Sequence, residues 1–409
     1  MKTISVKNVK IPVISMQDKT LPIVRLRLVF RAAGVAMEES KGRAKMLAML
    51  LGEGTRSLGS AEFNKALETR AIELDFSCGF ETFVAEINCL KEHLEFALKS
   101  LADVLAEPNF TKETLEKLKT KTQGLIAAKK SDFDYLAKRE LNSLLYAGSN
   151  LAYASIGDEK SVEKASLEEL EDFKNRFLDL SNLFIVLGGD VEASEIDFSA
   201  LLASLPVGAA RELPSVSVSN LKQTSFTKRE SDQAYVYFGA PYNVAKEDRW
   251  LANVATFVLG SSGFGSRLME EIRVKRGLAY GAYARNVLEL SHTALCGYLQ
   301  TKNESKDEAI KIVREEFAKF VKNGVSPDEL KGARDFLLGS EPLSKETLFK
   351  RLDIAQSEFY AGFKEGEFER NLEKIKNLEL KRLNDFIAAH SEICDLTFAT
   401  IYGGEQEGK

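Results

Sequence analysis

The sequence contains two similar halves, and this internal repeat limits the possible folds more than any other feature. Residues 29–32 (Val-Phe-Arg-Ala) resemble residues 237–240 (Tyr-Phe-Gly-Ala), 208 positions later, and both segments close an alternating, strand-like stretch. A helical stretch follows each strand and ends at a glycine, Gly52 or Gly260, again 208 positions apart. Solenoids repeat every 20–50 residues, so this much longer repeat predicts two similar domains.

We expect an α+β fold with two domains of about 200 residues, each a mainly antiparallel sheet packed with helices. Hairpin-like pairs such as residues 71–90 favour antiparallel pairing over a doubly wound parallel sheet. Pro206, Gly208 and Pro214 punctuate a stretch that offers little to bury. The predicted boundaries are 1–205 for the first domain, 206–226 for the linker and 227–409 for the second domain.

The composition argues against several classes of protein. Hydrophobic residues make up 44% and charged residues 29%, which are values typical of soluble globular chains. A net charge of −5 gives no basic surface for nucleic acid, so we expect no such partner. No apolar run is long enough to span a membrane. The N-terminus lacks the apolar core of a signal peptide, which predicts a cytoplasmic chain, or a periplasmic one if a leader was removed.

The cysteines and histidines are too dispersed to form local metal or disulfide motifs. They are Cys78, Cys89, Cys296, Cys394, His93, His292 and His390. No pair of cysteines has C-x-x-C spacing, so a disulfide scaffold is not indicated. A metal site built from neighbouring histidines is nearly excluded.

Two segments carry motifs of a known family. Residues 266–280 read S-R-L-M-E-E-I-R-V-K-R-G-L-A-Y, and residues 42–55 read G-R-A-K-M-L-A-M-L-L-G-E-G-T. The first resembles the S-R-L and R-x-K-x-G-L-x-Y motifs of insulinase, or pitrilysin-type, peptidases, and the second resembles their G-x-A-H-x-x-E-H-x-x-x-x-G-T. The resemblance is strongest to the short, two-domain subunits of processing peptidases. It implies a chain that forms half of a clamshell, whose chamber accepts peptides.

The zinc motif implied by this resemblance is degenerate. Active members use an inverted H-x-x-E-H motif, whereas this chain has Lys45, Ala48 and Met49 at the three positions. A protonated lysine repels Zn²⁺, alanine accepts no proton, and a thioether is a poor zinc ligand. Thr120 and Ala127 stand about where the family has further acidic residues. We therefore expect no cofactor in this chain, zinc in a partner, and a buried motif helix, because that helix is apolar almost all round.

Arg273 and Tyr280 match a pair that acts on the substrate in the family. The resemblance implies that the arginine donates to a substrate carbonyl and that the tyrosine stabilises the oxyanion, both in trans to a partner's zinc site. Strand alternation places Tyr280 on the same face as Ala282, pointing into a cavity. The alternative is a surface arginine paired with Glu270 or Glu271 and a tyrosine that fills the core.

A glycine-containing segment precedes the S-R-L motif. In non-catalytic processing-peptidase subunits a glycine-rich loop is thought to handle substrate, which makes Gly260, Gly263 and Gly265 candidate substrate-binding residues. The alternative is a simple turn that ends a helix. A phosphate-binding loop is not expected, because the segment follows a helix and lacks the P-loop lysine.

The sequence thus predicts a non-catalytic subunit of a heterodimeric zinc endopeptidase that acts on peptides or unfolded segments. It would be inactive alone and active with a homologous, zinc-bearing subunit. Two alternatives stay open: a homodimer that binds peptides without hydrolysis, and a catalytically dead structural or peptide-binding protein like the core subunits of respiratory complexes. The pair of Arg273 and Tyr280 favours the first hypothesis, since a scaffold has no need for a guanidinium and a phenol at this spacing.

Overall fold

A computed structural model describes residues 2–403, which form two compact α+β units. Within these residues the first unit comprises 2–127, 153–214 and 344–365, and the second comprises 128–152, 215–343 and 366–403. Each unit has its own sheet and its own apolar core. The predicted fold class, two similar α+β domains, is therefore confirmed.

The first unit is built on a six-stranded sheet. Its strands are β1 (Lys2–Val6), β2 (Val9–Gln17), β3 (Ile23–Arg31), β4 (Glu73–Cys78), β5 (Thr82–Leu90) and β6 (Leu183–Gly189). They lie in the order β1-β2-β6-β3-β5-β4, and every neighbouring pair is antiparallel except β2 and β6. Along β3, Leu26 and Leu28 enter the main core while Arg25 and Arg27 lie on the other face, as the alternating sequence predicts.

The second unit is built on a five-stranded sheet. Its strands are β7 (Thr224–Arg229), β8 (Gln233–Pro241), β9 (Ala279–Leu288), β10 (Thr293–Lys302) and β11 (Thr397–Gly403). They lie in the order β7-β11-β8-β10-β9, and β7 with β11 is the parallel pair. The strand β9 forms one edge of this sheet. Both sheets are thus mainly antiparallel, as expected.

Helices cover the sheets of both units. In chain order they are α1 (Arg43–Leu51), α2 (Gly59–Glu68), α3 (Leu94–Ala106), α4 (Lys112–Lys129), α5 (Phe133–Leu145), α6 (Glu159–Glu163), α7 (Leu167–Phe177), α8 (Phe198–Leu201), α9 (Arg249–Thr256), α10 (Arg267–Met269), α11 (Lys306–Asn323), α12 (Pro327–Gly339), α13 (Glu341–Ser344), α14 (Leu348–Tyr360), α15 (Glu367–Lys376) and α16 (Leu380–Ala389). Two π-helical turns, Phe257–Ser261 and Glu270–Val274, follow α9 and α10. No helix among residues 2–403 combines the length and the apolar composition needed to cross a membrane.

Each unit includes a helix from the other half of the chain. In the first unit, α14 covers the sheet face opposite the main core, where its fully buried Leu352 packs with Val29 and Phe184. In the second unit, α5 packs on β8 and β11, and Tyr237 donates a hydrogen bond to Asp134 on this helix (3.0 Å). The two helices are equivalent parts of the repeat, since each is 13 residues long and α14 starts 215 positions after α5.

The compact units consequently differ from the contiguous ranges 1–205 and 227–409 predicted from the sequence. One of the passages from the first unit to the second, between Pro214 and Ser215, lies inside the predicted linker 206–226. The helices α5 and α14, however, belong to the unit that their position in the sequence does not suggest. Sequence periodicity does not reveal this exchange, because it reports which residues are buried and not against which sheet.

Candidate functional site

The motif helix α1 is a packing element of the first unit. Seven of its nine residues are buried, and it packs against α7 and β4. Ala48 is 2% exposed, whereas Lys45 and Met49 are half-buried. The expected burial of this helix is therefore present in the structure.

The residues of α1 do not fit a zinc ion. Lys45, Ala48 and Met49 offer an ammonium, a methyl group and a thioether where a zinc site needs imidazoles and a carboxylate. On the helix α4, the exposed Thr120 and Ala127 supply no carboxylate either. In the part of the chain that the structure describes, no cluster of three or more His, Cys, Asp or Glu side chains is placed to hold a metal ion.

A buried carboxylate, which the sequence analysis missed, caps the motif helix. Glu38 is 7% exposed and accepts hydrogen bonds from the backbone N–H groups of Gly42 (3.0 Å) and Ala44 (2.6 Å). Burial raises the pKa of Glu38 to about 7, although these N–H donors act in the opposite direction. Burial, followed by the nearby charge of Glu38, raises the pKa of the Tyr153 phenol. A glutamate just before a helix start could have suggested a cap, because acidic groups are stabilised at helix N-termini.

The free cysteines are poor candidates for nucleophiles. Burial raises the pKa of Cys78 to about 12 and that of Cys89 to about 11. It also raises the pKa values of Cys296 and Cys394. Since the thiolate is the reactive form, these thiols stay protonated at neutral pH.

In the second unit, Arg273 contacts two exposed aromatic rings. Its guanidinium carbon is 4.4 Å from the ring centroid of Tyr280 and 4.6 Å from that of Phe264. Tyr280 is 84% exposed and Phe264 is 71% exposed. We call these three residues the aromatic–arginine cluster. Contacts with two rings restrict the orientation of the guanidinium.

The donors of Arg273 are not used within the described part of the chain, residues 2–403, where its side chain makes no hydrogen bond or ion pair. Its neighbour Glu271 is bound instead by Lys275 (2.5 Å) and Arg276 (2.7 Å). The alternative of an Arg273–Glu271 pair is therefore absent from the structure.

A bulge at the start of β9 explains the exposure of Tyr280. On the partner strand β10, Leu299 pairs with Ala282, while Thr301 pairs with Ala279. Tyr280 and Gly281 thus lie opposite a single residue, which breaks the alternation of faces. The prediction that Tyr280 shares a face with Ala282 is wrong, because Ala282 is fully buried and Tyr280 points to the surface.

The three candidate glycines differ in their surroundings. Gly260 is buried, and a Cβ there would lie 2.5 Å from the backbone nitrogen of Ala284. It permits close packing against β9, so the prediction of substrate binding rests on Gly263 and Gly265. Those two have φ values of +70° and +93° and open space around them, and they flank Phe264. The sequence analysis missed Phe264, although a single aromatic residue between two glycines was a visible signal.

The fold and these motifs define a class: two repeated α+β units with a degenerate H-x-x-E-H helix in the first and an R-x-K-x-G-L-x-Y segment in the second. Family models assign the chain to the same class. Residues 12–159 match the insulinase family (peptidase family M16), and residues 164–337 match the peptidase M16 inactive domain. The chain belongs to the M16, or insulinase, peptidase family.

Individual relatives support this assignment. A protein of Helicobacter pylori named "Non-peptidase homolog YmxG" is 39% identical over 402 residues, which cover 97% of this chain and 93% of the relative. The "Uncharacterized zinc protease YmxG" of Bacillus subtilis is 23% identical, over 85% of each chain. Among solved structures, a peptidase M16 inactive domain from Pseudomonas fluorescens superposes with a TM-score of 0.89 at 24% identity over 98% of both chains, a likeness of fold.

Proposed function

We propose that this chain is a peptidase-inactive M16 subunit that binds peptides or unfolded segments and works with a homologous, zinc-bearing partner. In this proposal Arg273 holds a carbonyl of the substrate, and the Tyr280 phenol donates to the oxygen on which negative charge develops. Gly263 and Gly265 let Phe264 contact the same peptide. The zinc ion of the complex belongs to the partner in this proposal. The cytoplasmic location of the chain stays a prediction.

The single observation that carries this proposal is the free guanidinium of Arg273. An arginine that only stabilised the surface would be expected to pair with the adjacent Glu271, yet Lys275 and Arg276 occupy that carboxylate. Unused donors beside two exposed rings favour a bound ligand, because Arg and Tyr are enriched among the residues that dominate binding energy.

The degenerate motif supports inactivity of the isolated chain. Lys45, Ala48 and Met49 cannot replace the ligands and the base of H-x-x-E-H. The name of the Helicobacter pylori relative, a non-peptidase homologue, agrees with this inference.

The test is reconstitution with a homologous chain from the same genome that carries an intact H-x-x-E-H motif. We expect the complex to cleave unfolded peptides, and each chain alone to be weak or inert. Within the complex, Tyr280→Phe should lower kcat by about 10²–10³, the usual loss for one oxyanion donor. Arg273→Ala should also raise KM, because a carbonyl anchor acts in the ground state as well.

Steady-state kinetics measure both effects, and gel filtration checks that the variants still form the complex. Tyr402→Phe, a tyrosine of the same unit on β11, is the matched control and should leave the kinetics unchanged. Normal kinetics in both cluster variants would remove Arg273 and Tyr280 from the site. The structural or peptide-binding alternative would then be the better description.

A further inference from the structure

A second candidate site lies in a cavity of about 260 Å³ within the second unit, between α5 and the strands β8, β10 and β9. We call it the tyrosine cavity, because Tyr146, Tyr237, Tyr283 and Tyr298 line it. Its volume lies just below the usual range for small-molecule sites, roughly 300–1,000 Å³, so it suits a ligand about the size of a single residue.

Two pairs of polar side chains converge on this cavity from different elements. Lys138 and Asn142 are four residues apart on α5, so they lie on one face of the helix. Tyr283 and Arg285 are two residues apart on β9, so they lie on one face of the strand. The periodicity of the helix places Lys138 and Asn142 on one face, and that of the strand does the same for Tyr283 and Arg285. The position of α5 in the second unit brings the two pairs to one cavity.

These four side chains are uncommitted hydrogen-bonding groups. Within residues 2–403, none of the four side chains makes a hydrogen bond or an ion pair. Two of the other phenols are already used, since Tyr237 donates to Asp134 (3.0 Å) and Tyr298 donates to Gln300 (3.1 Å).

Two cationic side chains line the cavity. Lys138 and Arg285 are cationic, and no acidic side chain occurs among the described residues that line the cavity. Asp134, one helical turn before Lys138, accepts hydrogen bonds from Tyr237. Burial and the nearby charge of Asp134 raise the pKa values of the Tyr283 and Tyr298 phenols, so one negative charge lies close to the cavity. An ammonium, a guanidinium and a phenol in one cavity match the several acceptor sites of a carboxylate.

Aromatic rings provide an apolar wall beside these donors. The ring centroids of Tyr237 and Tyr298 are 4.7 Å apart, and those of Tyr283 and Tyr298 are 5.5 Å apart. Leu141 and Val287 add aliphatic surface. A ligand with a flat or apolar group next to its negative charge would therefore satisfy both parts of the cavity.

We propose that the tyrosine cavity binds a carboxylate that is adjacent to an apolar or aromatic group, with Arg285 and Lys138 as its main donors. In a peptide this carboxylate is either the C-terminus or an Asp or Glu side chain. That the carboxylate belongs to a peptide rests on the proposed function. That the cavity binds a carboxylate rests on its lining residues alone.

The experiment measures Kd for matched probes on the full chain. Binding of N-acetyl-phenylalanine and of its amide, measured by ligand-observed NMR, tests the cavity without a peptide. Calorimetry with three ten-residue peptides separates the two sources of carboxylate. The first peptide ends in Phe with a free C-terminus, and the second is the same peptide with an amidated C-terminus. The third is also amidated and carries a Glu beside the Phe.

We expect the acid probe to bind more tightly than its amide, and at least one acidic peptide to bind more tightly than the neutral one. Arg285→Gln should weaken acid binding about ten-fold or more, the usual scale for a hydrogen bond to a charged group. Lys138→Gln should weaken it about three-fold or more. Lys311→Gln, which removes an exposed charge on α11 of the same unit, should change nothing.

Equal affinity for acids and amides, or an Arg285→Gln variant with normal affinity for the acids, would overturn the proposal. Tyr283→Phe provides a second variant at an exposed position, and it should weaken acid binding with no change in secondary structure. If N-acetyl-phenylalanine binds through Arg285 while every peptide fails to bind, the carboxylate site stands and the proposed peptide function fails.

Discussion

The motif helix α1 of the first unit and the aromatic–arginine cluster of the second match motifs of the same peptidase family, but their surroundings are opposite. In α1, the positions expected for zinc chemistry carry Lys45, Ala48 and Met49, and the helix is largely buried. In the cluster, Arg273 keeps unused donors within the described chain, and Phe264 and Tyr280 are mostly exposed.

This difference separates a motif that forms part of the core from a motif whose side chains remain exposed. A helix without polar ligands can join the core, since apolar burial is favourable and nothing polar is left unpaired. An exposed phenylalanine beside an exposed tyrosine keeps apolar area in water, which is characteristic of binding surfaces. The comparison predicts that changes in α1 affect stability and that changes in the cluster affect binding.

The largest expected effect on stability is in α1. Leu47 is fully buried in the core of the first unit, so Leu47→Ala should lower the free energy of unfolding by about 2–5 kcal/mol. Phe264→Ala in the cluster is the matched truncation and should cost no more than about 1 kcal/mol, the scale of an exposed cation–π contact. Urea unfolding followed by far-ultraviolet circular dichroism measures both. Equal losses of stability in the two variants would contradict the contrast between a buried motif helix and an exposed cluster.

A smaller effect concerns pH and Glu38. The pKa of Glu38 is about 7 in the folded chain against an ordinary 4.5. As pH rises, the unfolded chain therefore loses this proton at a lower pH than the folded chain does. The contribution of Glu38 to stability is therefore full below about pH 4.5 and falls as pH rises through 7. The loss is about 3 kcal/mol, from 1.36 kcal/mol per pKa unit.

The variant Glu38→Gln keeps a neutral side chain at every pH and isolates this effect. Relative to the variant, the parent should lose about 3 kcal/mol of stability between pH 4.5 and pH 8. Urea midpoints at several pH values provide the measurement. Glu212→Gln, at a residue outside the helices and strands, is the control. A parent and variant with parallel pH profiles would show that Glu38 is not a buried titrating cap.

The smallest expected effect is the response to repair of the zinc motif. The parent should bind no stoichiometric zinc, and the combined Lys45→His, Ala48→Glu and Met49→His variant should still show little peptidase activity. The carboxylates expected near Thr120 and Ala127 are missing, and the groups that orient zinc ligands were not restored. Elemental analysis after gel filtration and a peptide cleavage assay test this. A variant with one zinc per chain and brisk activity would contradict it.

The sequence was informative wherever local pattern was sufficient. Alternation along β3 predicted a strand that the structure contains. The zinc motif and the R-x-K-x-G-L-x-Y segment also depend on residues close together in the chain. Tyr280 was placed on the wrong face, because the bulge opposite β10 is a property of two strands and not of one.

The sequence by itself determined the two-fold repeat, the α+β class and the absence of zinc ligands from the motif, since each follows from the identity or spacing of neighbouring residues. The tertiary structure decided which unit takes α5 and α14, that Phe264 and Tyr280 contact Arg273, and that Lys138 and Arg285 line one cavity. The physical reason is that periodicity specifies which face of an element is buried. Its partner is chosen by packing between segments that lie far apart in the chain.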